Sequence, residues 1–299
     1  MHQNEEVLFL VRQCRRAKTV QILKDHDTAS FTITMALVKR RPKFDVNLCH
    51  IAPVKGKDCT GLFHYKNFFY GGTYQNKKNG NKSFGKGLIL KNVERLQKWH
   101  VSENLSTNEI LIKIELYLGD VIGEYLKISS VRKSKKAQIA KKICTLDEAE
   151  NFESLINTSY ASLNGKLSKL NNTRAFEIPK TKRESKYINY IDELTRFISY
   201  KDQGWKHLAA VRELMIIGYI ALSKIAESST YNKELPIKYQ ALVNTHKNAR
   251  LRDKNEWSEF KDTLYDLAFN SLQGYVISSI NLQRINFRYL KQGKTMCPR

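Results

Sequence analysis

The chain concentrates its chemically capable side chains between Val46 and Lys82, VNLCHIAPVKGKDCTGLFHYKNFFYGGTYQNKKNGNK. Two histidines, His50 and His64, stand among asparagines at Asn67, Asn76, Asn79 and Asn81 and lysines at Lys77, Lys78 and Lys82. An imidazole titrates near neutrality and accepts a proton from water. An amide oxygen is an acceptable ligand for a hard cation such as Mg²⁺, which keeps most of its waters. Ammonium groups attract phosphate. These are the group types that act on a phosphodiester, where a base deprotonates a water and a cation neutralises the phosphate and its leaving oxygen. Other chemistries find no footing. There is no Walker-type loop, no GxGxxG after a strand, no HExxH and no GxSxG. The five cysteines are odd in number and form no CxxC pair, so neither a zinc site nor a secreted disulfide framework is expected.

The elements that must position these residues read as follows. Residues 4–24 carry apolar side chains at helical spacing. Ser30–Val38 (SFTITMALV) and Phe44–His50 (FDVNLCH) are β-branched and alternating, and predict two short strands with Lys39, Arg40, Arg41 and Pro42 between them. Ile51–Lys91 is rich in Gly, Lys and Asn but also in aromatics, which predicts a folded, irregular segment. Ile110–Leu118 fits a strand or an apolar helix equally. Thr145–Glu148 predicts a capping box opening a helix to about Leu170. Residues 171–186, with Asn171, Asn172 and Pro179, are the expected linker. Leu208–Ile225 and Trp257–Leu267 carry buried helical stripes, and Arg284, Arg288 and Lys291 share one side of a C-terminal helix. His64 sits among Phe63, Tyr65, Phe68, Phe69 and Tyr70 and is expected to be packed.

Residues 44–82 resemble the HNH branch of the ββα-metal (His-Me finger) nucleases. The resemblance lies in a strand ending in His50, then Ile51 and Pro53, a loop with Gly56 and Gly61, Asn67 before Phe68, and nine residues later Asn76 opening into Lys77 and Lys78. It implies His50 as general base and Asn76 as ligand to one Mg²⁺ (or Mn²⁺), with Asn79 or Asn81 as the ligand if the helix is shifted. Asn67 would pin the loop and so orient His50, and Lys77, Lys78 and Lys82 would grip phosphate. Many members carry an acidic residue immediately before the catalytic histidine, where this chain has Cys49, a poor Mg²⁺ ligand. The positions of the zinc-binding cysteines of some members hold Gly72 and Gln75, so no structural zinc is expected.

The 299 residues carry 51 Lys and Arg against 29 Asp and Glu, a net charge of +22 that points to a polyanionic partner. Twelve basic and two acidic residues fall between Val38 and Lys91, so the anion-facing surface is concentrated there. Lys39, Arg40, Arg41 and Lys43 are expected to track a phosphate backbone. No segment reads as a membrane span or a signal peptide, and a cytoplasmic setting is expected. The expectation is an α+β chain: a ββα-metal nuclease-like module with an N-terminal helix in residues 1–100, and a mainly helical region in 101–299 that positions substrate or binds a protein partner. The expected function is metal-dependent endonucleolytic cleavage of DNA, with RNA the lesser substrate. The rivals are a non-catalytic nucleic-acid binder on the same scaffold and a helical interaction factor with a basic anchor.

Overall fold

A computed structural model describes residues 4–42, 45–129, 134–173, 186–200, 207–225 and 237–291. In chain order its elements are α1 (Glu5–Ala17), α2 (Thr28–Arg40), β1 (Val46–His50), β2 (Cys59–Gly61), β3 (Phe68–Gly72), α3 (Thr73–Asn79), β4 (Ile89–Lys91), α4 (Thr107–Leu118) and α5 (Asp120–Ile128). They continue with α6 (Lys135–Leu146), α7 (Phe152–Asn157), α8 (Tyr160–Leu170), α9 (Lys186–Ser199), α10 (Leu208–Leu222), α11 (Gln240–Thr245), α12 (Trp257–Leu272) and α13 (Ser279–Tyr289). This is a helix-rich α+β chain. Among the described residues no helix is long and apolar enough to cross a membrane.

The elements divide into two compact units that interleave in sequence. The first comprises residues 1–40, 54–67 and 88–180, and the second residues 41–53, 68–87 and 181–299.

In the first unit, α1 begins with Glu5 and Glu6 and ends with Arg15 and Arg16, matching the helix dipole. Lys18, at φ 58°, terminates it, so the helix expected over 4–24 ends at Ala17 and gives way to a 3-10 turn at Val20–Leu23. Ser30–Val38 is not a strand but the interior of α2. Asp27 Oδ1 accepts from the Ser30 N–H (2.7 Å) while Ser30 Oγ accepts from the Asp27 N–H (3.0 Å), a reciprocal N-terminal cap. Phe31 and Met35, four residues apart, are both buried, and the Thr32 and Thr34 hydroxyls donate to carbonyls one turn back. Packing and capping therefore outweigh β-propensity here. Lys39 and Arg40 consequently occupy the last turn of a helix rather than a hairpin.

Ile110–Leu118 is the helix α4, opened by a Ser106/Glu109 capping box, with Ile110, Ile114 and Leu118 buried at four-residue spacing. The helix expected from Thr145 to Leu170 is instead two, α7 and α8, preceded by α6. Thr145 lies in the last turn of α6, and Asn151 and Ser159 supply the caps of the next two helices. Of the expected linker, residues 174–185 lie outside the described residues.

The second unit is built on α9, α10 and α12. Tyr187, Tyr190, Leu194, Met215, Phe260, Leu264 and Phe269 are almost fully buried in its core. Gly218 permits the close approach of α12, because a Cβ there would come within 2.4 Å of Leu264 and 2.8 Å of the Tyr187 hydroxyl. Strands β1 and β3 form a two-stranded antiparallel sheet whose register pairs Val46 with Gly72 and His50 with Phe68. Cys49 and Phe69 belong to the helical core.

An isolated two-stranded ribbon is marginal in water, and its outer backbone groups need partners. Helix α9 supplies them to β3. Tyr190 Oη accepts from the Gly72 N–H (2.8 Å), the Glu193 carboxylate accepts from the Tyr70 N–H, and Arg196 Nη2 donates to the Phe68 carbonyl. Residues 190, 193 and 196 lie on one helix face and residues 72, 70 and 68 on one strand edge, so the helix runs along the strand in the opposite sense. Glu193 and Arg196 also pair with each other at 2.5 Å, with Glu193 buried.

Removing Arg196 would leave a buried carboxylate uncompensated. Arg196→Met is expected to destabilise the fold by about 3–5 kcal/mol, and Tyr190→Phe by about 1–3 kcal/mol through the orphaned Gly72 N–H. Urea unfolding checks both. The Glu193→Gln/Arg196→Met double variant should lose less than Arg196→Met alone, and a greater loss would contradict this account of the edge.

Candidate functional site

Strands β1 and β3 followed directly by α3 make a strand–strand–helix unit within the second compact unit. The Thr73 N–H donates to the Asp45 carbonyl (3.0 Å), which fixes the first turn of α3 beside the start of β1. Asp45 is itself held by Lys186 at 2.6 Å. Gly71 is required beneath this turn, because a Cβ there would meet the Phe269 ring at 2.7 Å and the Phe69 ring at 2.8 Å.

His50, the last residue of β1, is half-buried, and its ring meets that of its register partner Phe68 edge-on at 4.6 Å. Strand alternation puts Cys49 on the opposite face from His50. Burial in the core pushes the Cys49 thiol up to about 12, and its Sγ lies 3.9 Å from the Gly71 carbonyl. At neutral pH it is a packed, protonated thiol and has no part as a metal ligand.

On α3, one side is committed to α12. Gln75 Nε2 donates to Asp266 (3.3 Å), Lys78 Nζ pairs with Asp266 (2.5 Å), and Asn79 Nδ2 donates to Asn270 (2.9 Å). The hydrogen bond and charge of Asp266 hold the Lys78 ammonium above its ordinary pKa. Its charge is thus answered within the protein. Asn76 lies off that side, half-buried, with its side-chain amide bonded to no described residue. Asn79, the alternative ligand, has its amide engaged, and Asn81 lies in the exposed segment after the helix. Lys77 and Lys82 are exposed.

The remaining sequence candidates lie outside the strand–strand–helix unit. Asn67, in the first unit, is fully buried and donates through Nδ2 to the Leu62 carbonyl (2.8 Å). Its side chain pegs its own loop. Lys39 and Arg40 also belong to the first unit. Lys39 lies 5.3 Å above the Tyr125 ring, and Arg40 is exposed. Arg41 is exposed at the start of the second unit, and Lys43 lies outside the described residues.

His64 is buried in the first unit, its ring stacked 5.0 Å from that of His26. Burial, then the neighbouring His26 and Lys66, push its pKa down to about 4. Its Nδ1 accepts from the Lys66 N–H (3.2 Å), as a neutral ring does.

Among the described residues no group of three or more His, Cys, Asp or Glu side chains is placed to hold a metal. Of the sequence candidates, this unit carries the His50 imidazole at the end of β1 and the Asn76 amide on α3. That set suits a hydrated Mg²⁺ completed by water and phosphate oxygens, and not a zinc ion held by protein alone. Tyr190, Glu193 and Arg196, which hold the strand carrying the partner of His50, went unread in the sequence. Their only signal is a three-residue spacing of polar groups on an amphipathic helix. Comparison of the chain with protein-family models, curated proteins and solved structures finds no match.

The His64 ring binds its proton less readily in the folded chain than in the unfolded one. Its contribution to stability is therefore complete above the ordinary histidine pKa and lost as pH falls from about 6.5 towards about 4. The loss expected is roughly 2–3 kcal/mol. Urea midpoints measured across this window should fall more steeply for the wild type than for His64→Gln, and parallel profiles would contradict the assignment.

Proposed function

We propose that the chain is a metal-dependent endonuclease acting on nucleic acid, with DNA favoured over RNA. One observation carries the reading: His50 ends a strand whose antiparallel partner runs directly into the short helix bearing Asn76. The order of strand, strand and helix and the residue types resemble an HNH-type ββα-metal site, and the segment belongs to a strongly cationic chain.

In this reading His50 accepts the proton of the attacking water as the water oxygen bonds to phosphorus. The bond from phosphorus to the 3′ oxygen breaks, that oxygen takes a proton from solvent water, and the products are a 5′-phosphate and a 3′-hydroxyl. Asn76 would hold a Mg²⁺ ion through its amide oxygen, and that ion would supply neutralising charge at the phosphate and at the departing oxygen. Lys77 and Lys82 attract the phosphate backbone, while Lys78, tied to Asp266, mainly fixes the helix. The Phe68 ring packs edge-on against the imidazole and would limit its rotation. The larger helical part of the second unit carries the scaffold on which β3 is held.

Cleavage of supercoiled, linear and single-stranded DNA with Mg²⁺, Mn²⁺ or EDTA tests the proposal. His50→Ala and Asn76→Ala should each lower metal-dependent cutting by about 10²-fold or more without loss of folding. Undiminished cutting by His50→Ala would remove the base. DNA binding without cutting in any metal would instead favour the rival binding scaffold, to which the packed, neutral Cys49 in place of an acidic ligand already gives some ground.

A further inference from the structure

The chain leaves α3 at Gly80 and is exposed through Gly87. Within this segment the Phe84 side chain is 36% exposed. Its ring centre lies 5.4 Å from that of Tyr275, just past the end of α12, which is 42% exposed. Exposed rings are ordinary when scattered singly, but here two are gathered and fixed.

The fixing is visible along α12. Lys78 is tied to Asp266, Asn79 to Asn270 one turn later, and the Lys86 stem lies against Gly274 one turn later again. Gly274 has φ +104°, and a Cβ there would stand 2.4 Å from Lys86 Cγ. The close approach thus needs glycine at this position. The Tyr275 N–H donates to the Asn270 carbonyl (2.9 Å), which sets where its ring emerges.

The surroundings are cationic. Between Asn67 and Lys91 the chain holds five lysines and no Asp or Glu. Lys82 and Lys86 flank Phe84, and both are exposed. Two exposed aromatic rings beside Lys82 and Lys86, which have no ion-pair partner among the described residues, match a ligand that offers flat apolar faces on a polyanionic thread. A duplex offers the phosphates, but its bases are already stacked on each other. An unpaired base keeps a free face, and stacking on aromatic side chains is indifferent to its identity.

We propose that Phe84 and Tyr275, with Lys82 and Lys86, form a stacking platform for unpaired bases of a single-stranded nucleic acid. This goes beyond the cleavage reading and does not need it, because neither His50 nor a metal takes part.

The test is equilibrium binding of the full chain in EDTA, read by fluorescence anisotropy. The probes are a labelled oligothymidylate of about 16 nucleotides, an oligouridylate of the same length and a blunt DNA duplex. Phe84→Ala and Tyr275→Ala should each weaken oligothymidylate binding by about 5- to 100-fold and leave duplex binding unchanged, and Phe84→Trp should retain wild-type affinity. Lys86→Gln should lower the salt dependence of single-strand binding by about 0.7 in log–log slope. The ratio of oligothymidylate to oligouridylate affinity assigns the thread to DNA or RNA. An undiminished single-strand affinity in the alanine variants, an equal loss on duplex, or no binding of single strands by the wild type would each overturn the platform. Because nothing is cut in EDTA, such a failure leaves the cleavage assay untouched, and a failure to cleave leaves this measurement intact.

Discussion

Along the outer edge of β3, three side chains of α9 answer three backbone groups: Tyr190 at Gly72, Glu193 at Tyr70 and Arg196 at Phe68. A ribbon of two strands has little stability of its own, and its exposed edge would otherwise pair with solvent or with another chain. Here one helix turns that edge into an internal interface. The cost is a buried carboxylate, whose pKa burial pushes up against the opposing pull of Arg196. Such a pair contributes little net stability beside an apolar alternative, but it is demanding in geometry. A strand held in this way cannot slip by one residue without breaking all three contacts. A slip would also turn Phe69 out of the core and invert the faces of the sheet. The register that opposes His50 to Phe68 is therefore fixed from the far side of the sheet.

Helix α12 provides the second constraint. Its Asp266 and Asn270, one turn apart, and Gly274 just past its end meet α3 and the segment after it, and so set where the asparagines and lysines of that stretch emerge. The same contacts sort the lysines by role. Lys78 is answered by an aspartate, whereas Lys77, Lys82 and Lys86 stand exposed. A run of like residues in the sequence thus resolves into an anchor and a set of outward charges. Only the latter attract a polyanion at long range, an attraction weakened by salt.

Much of the site was legible because it is local. The strand ending at His50, the glycines before α3 and the basic run after Asn76 lie within one short segment, where residue types and spacing carry the information. The packed state of His64 was legible too, since a histidine among five aromatics has few alternatives. What failed did so for tertiary reasons. Ser30–Val38 has the composition of a strand, yet the reciprocal Asp27–Ser30 cap and the burial of Phe31 and Met35 make it a helix. The span from Thr145 to Leu170 has helical content throughout, but the Asn151 and Ser159 caps divide it. The partners of β3 were invisible because they lie more than a hundred residues away in the chain. The exposed Phe84–Tyr275 pair was missed for the same reason.

In the proposed reaction the His50 imidazole and the Asn76 amide would serve one hydrated divalent ion. The most direct test of this claim does not require turnover: addition of substoichiometric Mn²⁺ to isotopically labelled protein, with paramagnetic line broadening read from the side-chain amides of the asparagines and the ring C–H signals of the histidines. The account predicts that Asn76 and His50 broaden first and together and that excess Mg²⁺ reverses the effect, while Asn67 and His64 stay sharp. Broadening centred elsewhere, or spread evenly over the exposed residues, would contradict it.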